Sequence, residues 1–258
     1  MNEKDNIIPK LTLVGAGPGD VDLVTVKGIE AIGSADVILY DALVNPELLK
    51  YAPINALKIY VGKRSNKHEY TQDQINSLIV DHSFSHGHVV RLKGGDSFVF
   101  GRGYEELAHA KLFNIETEIV PGISSSIAVP ALQGIPVTNR GTSESFWVIT
   151  GTKSNGELSE DIKLAAKSTA TVVILMGLNK LKEISSIFSA EGRSETAIAI
   201  IQNGSLPTEN VALGTIETIV QIVEEEKIGT PAIIVIGDVV KLHESFPLSL
   251  TDWRYLLN

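Results

Sequence analysis

Several short runs of apolar and β-branched residues end directly in a glycine, and this pattern constrains the fold more than any other feature of the sequence. Six such runs end at Gly15, Gly62, Gly94, Gly151, Gly177 and Gly237. Stretches with helical apolar spacing lie between them, at 26–35, 71–81, 104–113 and 178–190, and we expect a capping box of Thr71 and Gln74 to open the second of these helices. Apolar strands that alternate with helices predict an α/β protein with a largely parallel sheet. Ligands of such sheets bind beyond the carboxyl ends of the strands, so the terminal glycines mark the expected binding edge.

The domain organisation is suggested by length and by one stretch rich in proline, glycine and serine. A chain of 258 residues fits two domains or one large one. The Pro/Gly/Ser-rich stretch covers residues 121–141 and keeps an apolar helical middle. We therefore predict an N-terminal lobe at 9–133, a C-terminal lobe at 134–246 and a peripheral tail at 247–258.

Composition and charge exclude several classes of protein. The chain has 22 Lys and Arg against 31 Asp and Glu, a net charge of −9, which argues against nucleic acid as a partner. It has no cysteine, which excludes disulfides and thiolate metal sites and suits a reducing compartment. Its polar start offers no secretory signal, and its apolar runs fall short of the ~20 residues that span a bilayer. We expect a cytoplasmic protein that does not insert into membranes.

The first glycine-rich turn, GAGPGD at 15–20, has three interpretations: a dinucleotide loop, a phosphate loop or a structural turn. Pro18 removes an N–H from the place where an anion needs donors, and Asp20 and Asp22 add negative charge there. No Gly-Lys-Ser/Thr follows. A cofactor that is cationic at its reactive end fits better than one with phosphates, and S-adenosylmethionine, with its sulfonium, is the commonest of that kind.

Charged residues follow several of the predicted strands. Asp41 could be a ribose-binding acid, a helix cap or a catalytic carboxylate, and by residue type alone the cap is favoured. Basic residues recur at the next strand ends, namely Lys63, Arg64, Arg91, Lys93 and Arg102. Each one alone is most simply a solvated surface residue. Their recurrence at one edge indicates an anionic substrate.

Three histidines, at 82, 86 and 88, invite a metal interpretation. They lie in a polar Gly/Ser segment with no carboxylate ligand evident beside them, so we predict a solvated turn and no metal.

A longer set of motifs resembles a known family over most of the chain, from about Leu11 to Leu242. The motifs are GAGPGD, YDALV, YVGKR, RLKGGDSFVFGRG, EIVPGISS, GIPVTNRG, VVILMGL, IQNGS and AIIVIGDVV. In order and spacing they resemble the tetrapyrrole methylases. The long RLKGGDSFVFGRG block together with YVGKR narrows the resemblance to the members that act on uroporphyrinogen.

The resemblance implies two α/β lobes with an active-site cleft between them, a homodimer, and S-adenosylmethionine-dependent methylation of two adjacent pyrrole rings. The substrate would be uroporphyrinogen III and the products precorrin-2, for siroheme or cobalamin synthesis, and S-adenosylhomocysteine. Cofactor contacts would fall on Pro18, Gly94, Gly95, Asp96, Val99, Ser124, Ser125, Met176 and Gly204. Asp41 matches the family's proton acceptor and Lys63 its proton donor.

The eight carboxylates of such a substrate need counter-charges, and arginine is suited to bidentate grips. The candidates are Arg64, Arg91, Lys93, Arg102 and Arg140, with a structural ion pair as the alternative role for each. The sequence departs from the family pattern at Asn139, where many relatives have histidine, and at Ser97 and Val99. Two other functions stay open: another methylase of the same superfamily, and a nicotinamide-dependent oxidoreductase that uses the GAGPGD turn and Asp41.

Overall fold

The computed structural model of the chain describes residues 7–62 and 70–246. It divides into two compact units, Met1–Ser124 and Ser125–Asn258. Lys63, Arg64 and the predicted tail lie outside the described residues. Among the residues described, no helix is both long enough and apolar enough to cross a bilayer.

The first unit is built on a parallel sheet with helices on both faces. Its strands are β1 (Lys10–Gly15), β2 (Val37–Tyr40), β3 (Leu57–Tyr60), β4 (His88–Lys93) and β5 (Glu116–Val120), in the order β3-β2-β4-β1-β5. Its helices are α1 (Val26–Gly33), α2 (Gln72–His86) and α3 (Gly103–Leu112). Every pair of neighbouring strands is parallel. All carboxyl ends of this sheet therefore lie at one edge, as predicted.

Two apolar layers hold the sheet of the first unit between its helices. On one face, Ile79 of α2 and Leu107 of α3 pack against Leu13 in β1. On the other face, Ile32 of α1 and Leu48 of a 3₁₀ helix at Pro46–Tyr51 pack in the second layer. Both layers are almost fully excluded from solvent.

Helix α2 confirms one local prediction and overturns another. Thr71 and Gln74 form the predicted capping box, with each side chain accepting from the other's backbone N–H. The helix then runs beyond the predicted end to His86 and stops at Gly87, whose φ is +111°. The prediction of a turn around the histidines is wrong, because buried Ile79, Val80 and Ser83 keep the segment helical.

The second unit carries a mixed sheet. Its strands are β6 (Phe146–Thr150), β7 (Thr171–Leu175), β8 (Ala197–Gln202), β9 (Asn210–Thr215) and β10 (Ala232–Ile236). Its helices are α4 (Ser125–Leu132), α5 (Asp161–Ala165), α6 (Leu181–Ala190) and α7 (Ile219–Glu225). The strand order is β6-β7-β10-β8-β9, and the pair β6 and β7 is parallel while the other pairs are antiparallel.

The prediction of parallel strands is therefore wrong for most of the second sheet. A parallel pair needs a long crossover connection, whereas a short loop joins β8 to β9 and lets them pair antiparallel. The overall class, α/β with two α/β units, is confirmed.

The break between the units falls between Ser124 and Ser125 and not at residue 133, where the sequence suggested it. The reason is helix α4, which the sequence assigned to the first lobe. Its Val129 is buried in an apolar cluster with Val173 of β7 and Ile201 of β8. The helix therefore belongs to the core of the second unit.

Candidate active site

Three glycine-rich loops meet at the carboxyl edge of the first sheet. Gly17, in the turn after β1, donates its N–H to the carbonyl of Gly95 at 3.2 Å and accepts from the Gly95 N–H at 2.7 Å. Both residues have positive φ, +80° and +67°, which glycine adopts without strain. The GAGPGD turn and the loop after β4 are thus joined backbone to backbone.

The third loop, after β5, is held against the other two by Asp96 and by close glycine packing. Oδ2 of Asp96 accepts from the Gly122 N–H at 3.0 Å, and Oδ1 accepts from the Phe98 N–H at 2.8 Å. A Cβ atom on Gly122 would lie 2.3 Å from the carbonyl oxygen of Gly95, and one on Gly15 would lie 2.5 Å from Gly122 Cα. Gly15 and Gly122 are therefore required because a larger residue would clash where these loops pack together. The sequence interpretation had instead taken Gly15 to mark the edge where a ligand binds.

The predicted cofactor residues of the first unit lie in or beside these loops. Pro18 and Val99 are half-buried, and Ser124 is buried. Gly94 packs against Leu43, since a Cβ there would lie 2.5 Å from the Leu43 Cβ.

Asp20, in the turn after β1, caps the 3₁₀ helix at Val21–Leu23 by accepting from the Asp22 N–H. Two carboxylates thus adjoin the turn after β1, which disfavours a phosphate and suits a cofactor with a cationic centre.

Asp41 follows β2 at the same edge. Its Oδ1 accepts from the Leu43 N–H at 3.1 Å, and its side chain is 25% exposed. Its Oδ2 lies 3.6 Å from Nη2 of Arg91. The capping role considered from sequence is not what the structure shows, because Asp41 forms a local turn and an ion pair.

Arg91 and Lys93 extend from β4 into the interior and meet a carboxylate there. Side chains alternate along a strand, so these two share a face with Leu13 and Leu39, which pack under α2 and α3. Oε1 of Glu106, on α3, accepts from Arg91 Nε at 3.2 Å and from Lys93 Nζ at 2.9 Å.

Burial changes the expected role of these two cations. Arg91 is 3% exposed and Lys93 is 5% exposed, although the sequence predicted that both contact substrate. Burial, reinforced by the charge of Arg91, lowers the pKa of the Lys93 ammonium, and Glu106 opposes that shift. Both side chains are engaged inside the unit and do not present a free charge to solvent.

Sequence reasoning missed Glu106. The signal was present, because Gly103, Glu106, Leu107 and Ala110 repeat at the spacing of the buried face of α3. A carboxylate at an apolar position of a helix requires a partner in the interior.

The remaining arginines predicted to bind substrate are exposed. Arg102 has a φ of +57° and donates from Nε and Nη2 to the Glu105 carboxylate at 2.8 and 2.6 Å. The hydrogen bonds with Glu105 raise the pKa of Arg102. Arg140 is exposed, next to Asn139, whose side-chain amide donates to Thr142 Oγ1 at 3.1 Å.

In the second unit, the predicted cofactor residues follow strand ends or begin a helix. Met176 follows β7 with a φ of +56° and is 54% exposed, which is unusual for a methionine that only fills a core. Ser125 is the first residue of α4. Gly204 follows β8, and a Cβ there would lie 2.3 Å from Val129 Cγ1.

A second residue that the sequence did not reveal supports the Gly204 loop. Asn203 and Ser205 flank the glycine with φ of +51° and +70°. The Glu209 carboxylate accepts from the Ser205 N–H at 2.8 Å and from the Gln133 side-chain amide. The described residues contain no group of three or more His, Cys, Asp or Glu side chains placed to hold a metal ion.

Comparison with known proteins shows which family the chain is similar to. Residues 10–220 match the family model of the Tetrapyrrole (Corrin/Porphyrin) Methylases. A uroporphyrinogen-III C-methyltransferase of Methanocaldococcus jannaschii is 45% identical over 238 residues, which cover 92% of this chain and 98% of the relative. A siroheme synthase of Actinobacillus pleuropneumoniae is 43% identical over 95% of this chain, and the alignment spans 50% of that relative's length.

A solved structure agrees with these sequence matches. The uroporphyrin-III C-methyl transferase of Thermus thermophilus, complexed with S-adenyl homocysteine, superposes with a TM-score of 0.76 at 34% identity. The match covers 90% of this chain and 99% of that one.

Proposed function

The chain belongs to the tetrapyrrole methylases, and on that premise we propose that it methylates carbon atoms of uroporphyrinogen III with S-adenosylmethionine as donor. Two adjacent pyrrole rings receive one methyl each, which gives precorrin-2 for siroheme or cobalamin synthesis. The observation that carries the proposal is the 45% identity with a uroporphyrinogen-III C-methyltransferase over 98% of that protein's length. The superfamily member and the oxidoreductase that the sequence left open are less well supported.

The loops of the first unit fit the cofactor. The turn after β1 carries carboxylates and a proline instead of the N–H cradle that a phosphate requires. When bound, S-adenosylmethionine supplies an electrophilic methyl group on a sulfonium and leaves as S-adenosylhomocysteine. We propose that the predicted contacts hold it: Pro18, Gly94, Gly95, Asp96, Val99 and Ser124 in the first unit, and Ser125, Met176 and Gly204 in the second.

Asp41 is proposed as the proton acceptor. When a pyrrole carbon takes a methyl group, the ring gains a positive charge that loss of one proton removes. The Asp41 carboxylate is partly exposed at the loop edge and is oriented by the Leu43 N–H and by Arg91. Lys63, the predicted proton donor, lies outside the described residues and stays a prediction.

The substrate carboxylates are proposed to meet the exposed arginines. Arg102 and Arg140 present guanidinium groups at the surface, and Arg64, outside the described residues, is the third candidate. Arg102 would exchange Glu105 for a substrate carboxylate, an exchange between two solvated pairs that costs little because exposed ion pairs contribute only ~0.2–1 kcal/mol. Arg91 and Lys93 are buried and paired, so we assign them to the support of Asp41.

Assembly and location follow from the family resemblance. We propose a cytoplasmic homodimer whose partner is a small tetrapyrrole and not nucleic acid or membrane. The net charge of −9 supports the absence of nucleic acid. Sedimentation of the purified chain tests the dimer, and a monomer at micromolar concentration would contradict it.

The proposed reaction is tested by incubating the purified chain with S-adenosylmethionine and uroporphyrinogen III. S-adenosylhomocysteine should form only when both are present. A parallel thermal denaturation should show a higher Tm with S-adenosylhomocysteine than with NAD, because a ligand specific for the native state stabilises it by RT ln(1 + [L]/Kd). A higher Tm with NAD would favour the oxidoreductase instead.

A further inference from the structure

Glu106 is a fully buried carboxylate near Asp41, and it contacts more side chains than a single ion pair would involve. Its side chain is 0% exposed. One oxygen, Oε1, accepts from Arg91 Nε, Lys93 Nζ and Gln72 Nε2, at 3.2, 2.9 and 3.2 Å. Its other oxygen, Oε2, is buried with no hydrogen-bond partner among the described residues.

Arg91 is held from three sides. Its Nε donates to Glu106, and its Nη1 donates to the carbonyls of Leu39 and Leu92 at 3.3 and 2.9 Å. These contacts fix the plane of the guanidinium, so that the remaining nitrogen, Nη2, faces Asp41 at 3.6 Å. The orientation of Nη2 therefore depends on the anchor at Nε.

The two positive charges of Arg91 and Lys93 are balanced by Asp41 only when Glu106 is counted as well. Arg91 and Lys93 are two buried cations, while Asp41 is a single, partly exposed carboxylate. Buried charges are costly unless they are paired. Without Glu106, the two cations would have Asp41 as their only carboxylate partner among the described residues, and they would compete for it.

We propose that Glu106 is a positioning residue for methyl transfer, which acts through Arg91 to hold the Asp41 carboxylate in the orientation needed for proton removal. The inference rests on the proposed function, because it requires that Asp41 accepts a proton. Glu106 itself touches neither substrate nor cofactor in this account.

The test compares Glu106→Gln with Leu107→Ala, a neighbouring change on the same helix. Leu107 is 5% exposed in the apolar layer, so its truncation destabilises the unit without removing a charge. Both variants are assayed below their Tm. Glu106→Gln should lower kcat about tenfold or more while KM for S-adenosylmethionine stays within about twofold, the pattern of an interaction made in the transition state. Leu107→Ala should lower the Tm and keep kcat within about twofold.

Two further measurements separate positioning from folding. Glu106→Asp keeps the charge but moves the carboxylate back, and its kcat should lie between those of the wild type and Glu106→Gln. In an Asp41→Asn background, Glu106→Gln or Glu106→Asp should reduce the residual rate by less than about twofold, because the two residues act as one unit. If Glu106→Gln does not fold, the comparison of Glu106→Asp with Leu107→Ala decides.

The possible failures are distinguishable. An inactive wild-type chain would overturn the proposed function and this inference with it. An active wild type with unchanged kcat in Glu106→Asp, or a full additional loss in the Asp41→Asn background, would overturn the inference alone.

Discussion

Arg91 and Asp41 form an ion pair across neighbouring strand ends, with Nη2 of the arginine 3.6 Å from Oδ2 of the carboxylate. The arginine is 3% exposed and the aspartate side chain 25% exposed, so the pair has one member inside the fold and one at its edge. This arrangement leaves Asp41 accessible while its orientation is set from the interior. It supports the role that the family resemblance implies for Asp41.

Asp41→Asn should slow turnover and spare cofactor binding. The amide keeps the shape of the side chain but cannot accept a proton as a carboxylate does, so kcat should fall by about 10²–10⁴-fold. Calorimetric titration with S-adenosylhomocysteine should give a Kd within about twofold of the wild-type value, because Asp41 is not among the proposed cofactor contacts. A twofold change in Kd corresponds to under about 0.5 kcal/mol of binding free energy. An unchanged kcat would remove Asp41 from the mechanism.

Gly122→Ala should destabilise the first unit through the loop contacts. Its new Cβ would lie 2.3 Å from the Gly95 carbonyl, a backbone atom that cannot swing away. We expect a loss of about 1–3 kcal/mol in the free energy of unfolding, the usual cost of overpacking.

The matched control is Gly33→Ala, at the end of α1. Its new Cβ would meet the nearest atom, the Tyr51 carbonyl oxygen, at 3.6 Å, which is ordinary contact. Urea denaturation should show this variant unchanged or stabilised by up to about 1 kcal/mol. Equal stability of the two variants would contradict the interpretation of the loop contacts.

Glu209→Ala should weaken cofactor binding through the loop that carries Gly204. The carboxylate holds the Ser205 N–H, and its loss lets residues in left-handed conformations relax. Ordering the loop again on binding costs about 1 kcal/mol, so the Kd for S-adenosylhomocysteine should rise about fivefold. The control is Glu224→Ala, an exposed glutamate on α7, which should bind as the wild type does. Wild-type affinity in Glu209→Ala would argue that Gly204 does not contact the cofactor.

Glu118 should make the first unit sensitive to acid. Hydrogen bonds from Lys27 and Lys10, at 2.8 and 2.9 Å, lower the pKa of Glu118 from its ordinary 4.5 to about 2. A carboxylate whose folded pKa is depressed adds stability above its unfolded pKa, and loses that contribution as the pH falls toward the folded value.

The carboxylate is 33% exposed, so solvent weakens the two pairs and their expected contribution is only about 0.2–1 kcal/mol. Urea denaturation of wild type and Glu118→Gln should show that difference at pH 7. It should narrow as the pH is lowered from 4.5 toward 2. A difference that stays constant with pH would show that the pairs do not stabilise the fold.

The ends of six of the ten described strands, β1, β3, β4, β6, β7 and β10, could be predicted from the sequence because a glycine lies at or just after the end of each apolar run. Strands β2 and β9 have no such glycine. The same pattern could not reveal the mixed second sheet. A strand that is buried on both faces has the same apolar sequence pattern whether its neighbours run parallel or antiparallel to it. The sequence therefore could not show that β8 and β10 pair antiparallel.

For the site, the family resemblance identified Asp41 from the sequence, whereas only the structure shows which residues orient its carboxylate. Arg91 and Lys93 looked like surface cations because these residue types are mostly exposed. Their burial depends on Glu106, which follows them by 15 and 13 positions and reaches them only when α3 packs on the sheet. The spacing on α3 indicates that Glu106 is buried, but it does not show which residues of β4 the carboxylate contacts.

The mass of the macrocycle recovered after reaction of the purified chain with uroporphyrinogen III and excess S-adenosylmethionine shows whether the chain methylates this substrate. We expect a product that has gained two methyl groups, with two molecules of S-adenosylhomocysteine released for each macrocycle. Recovery of the macrocycle without added methyl groups, under conditions in which the chain binds S-adenosylhomocysteine, would refute the proposed function.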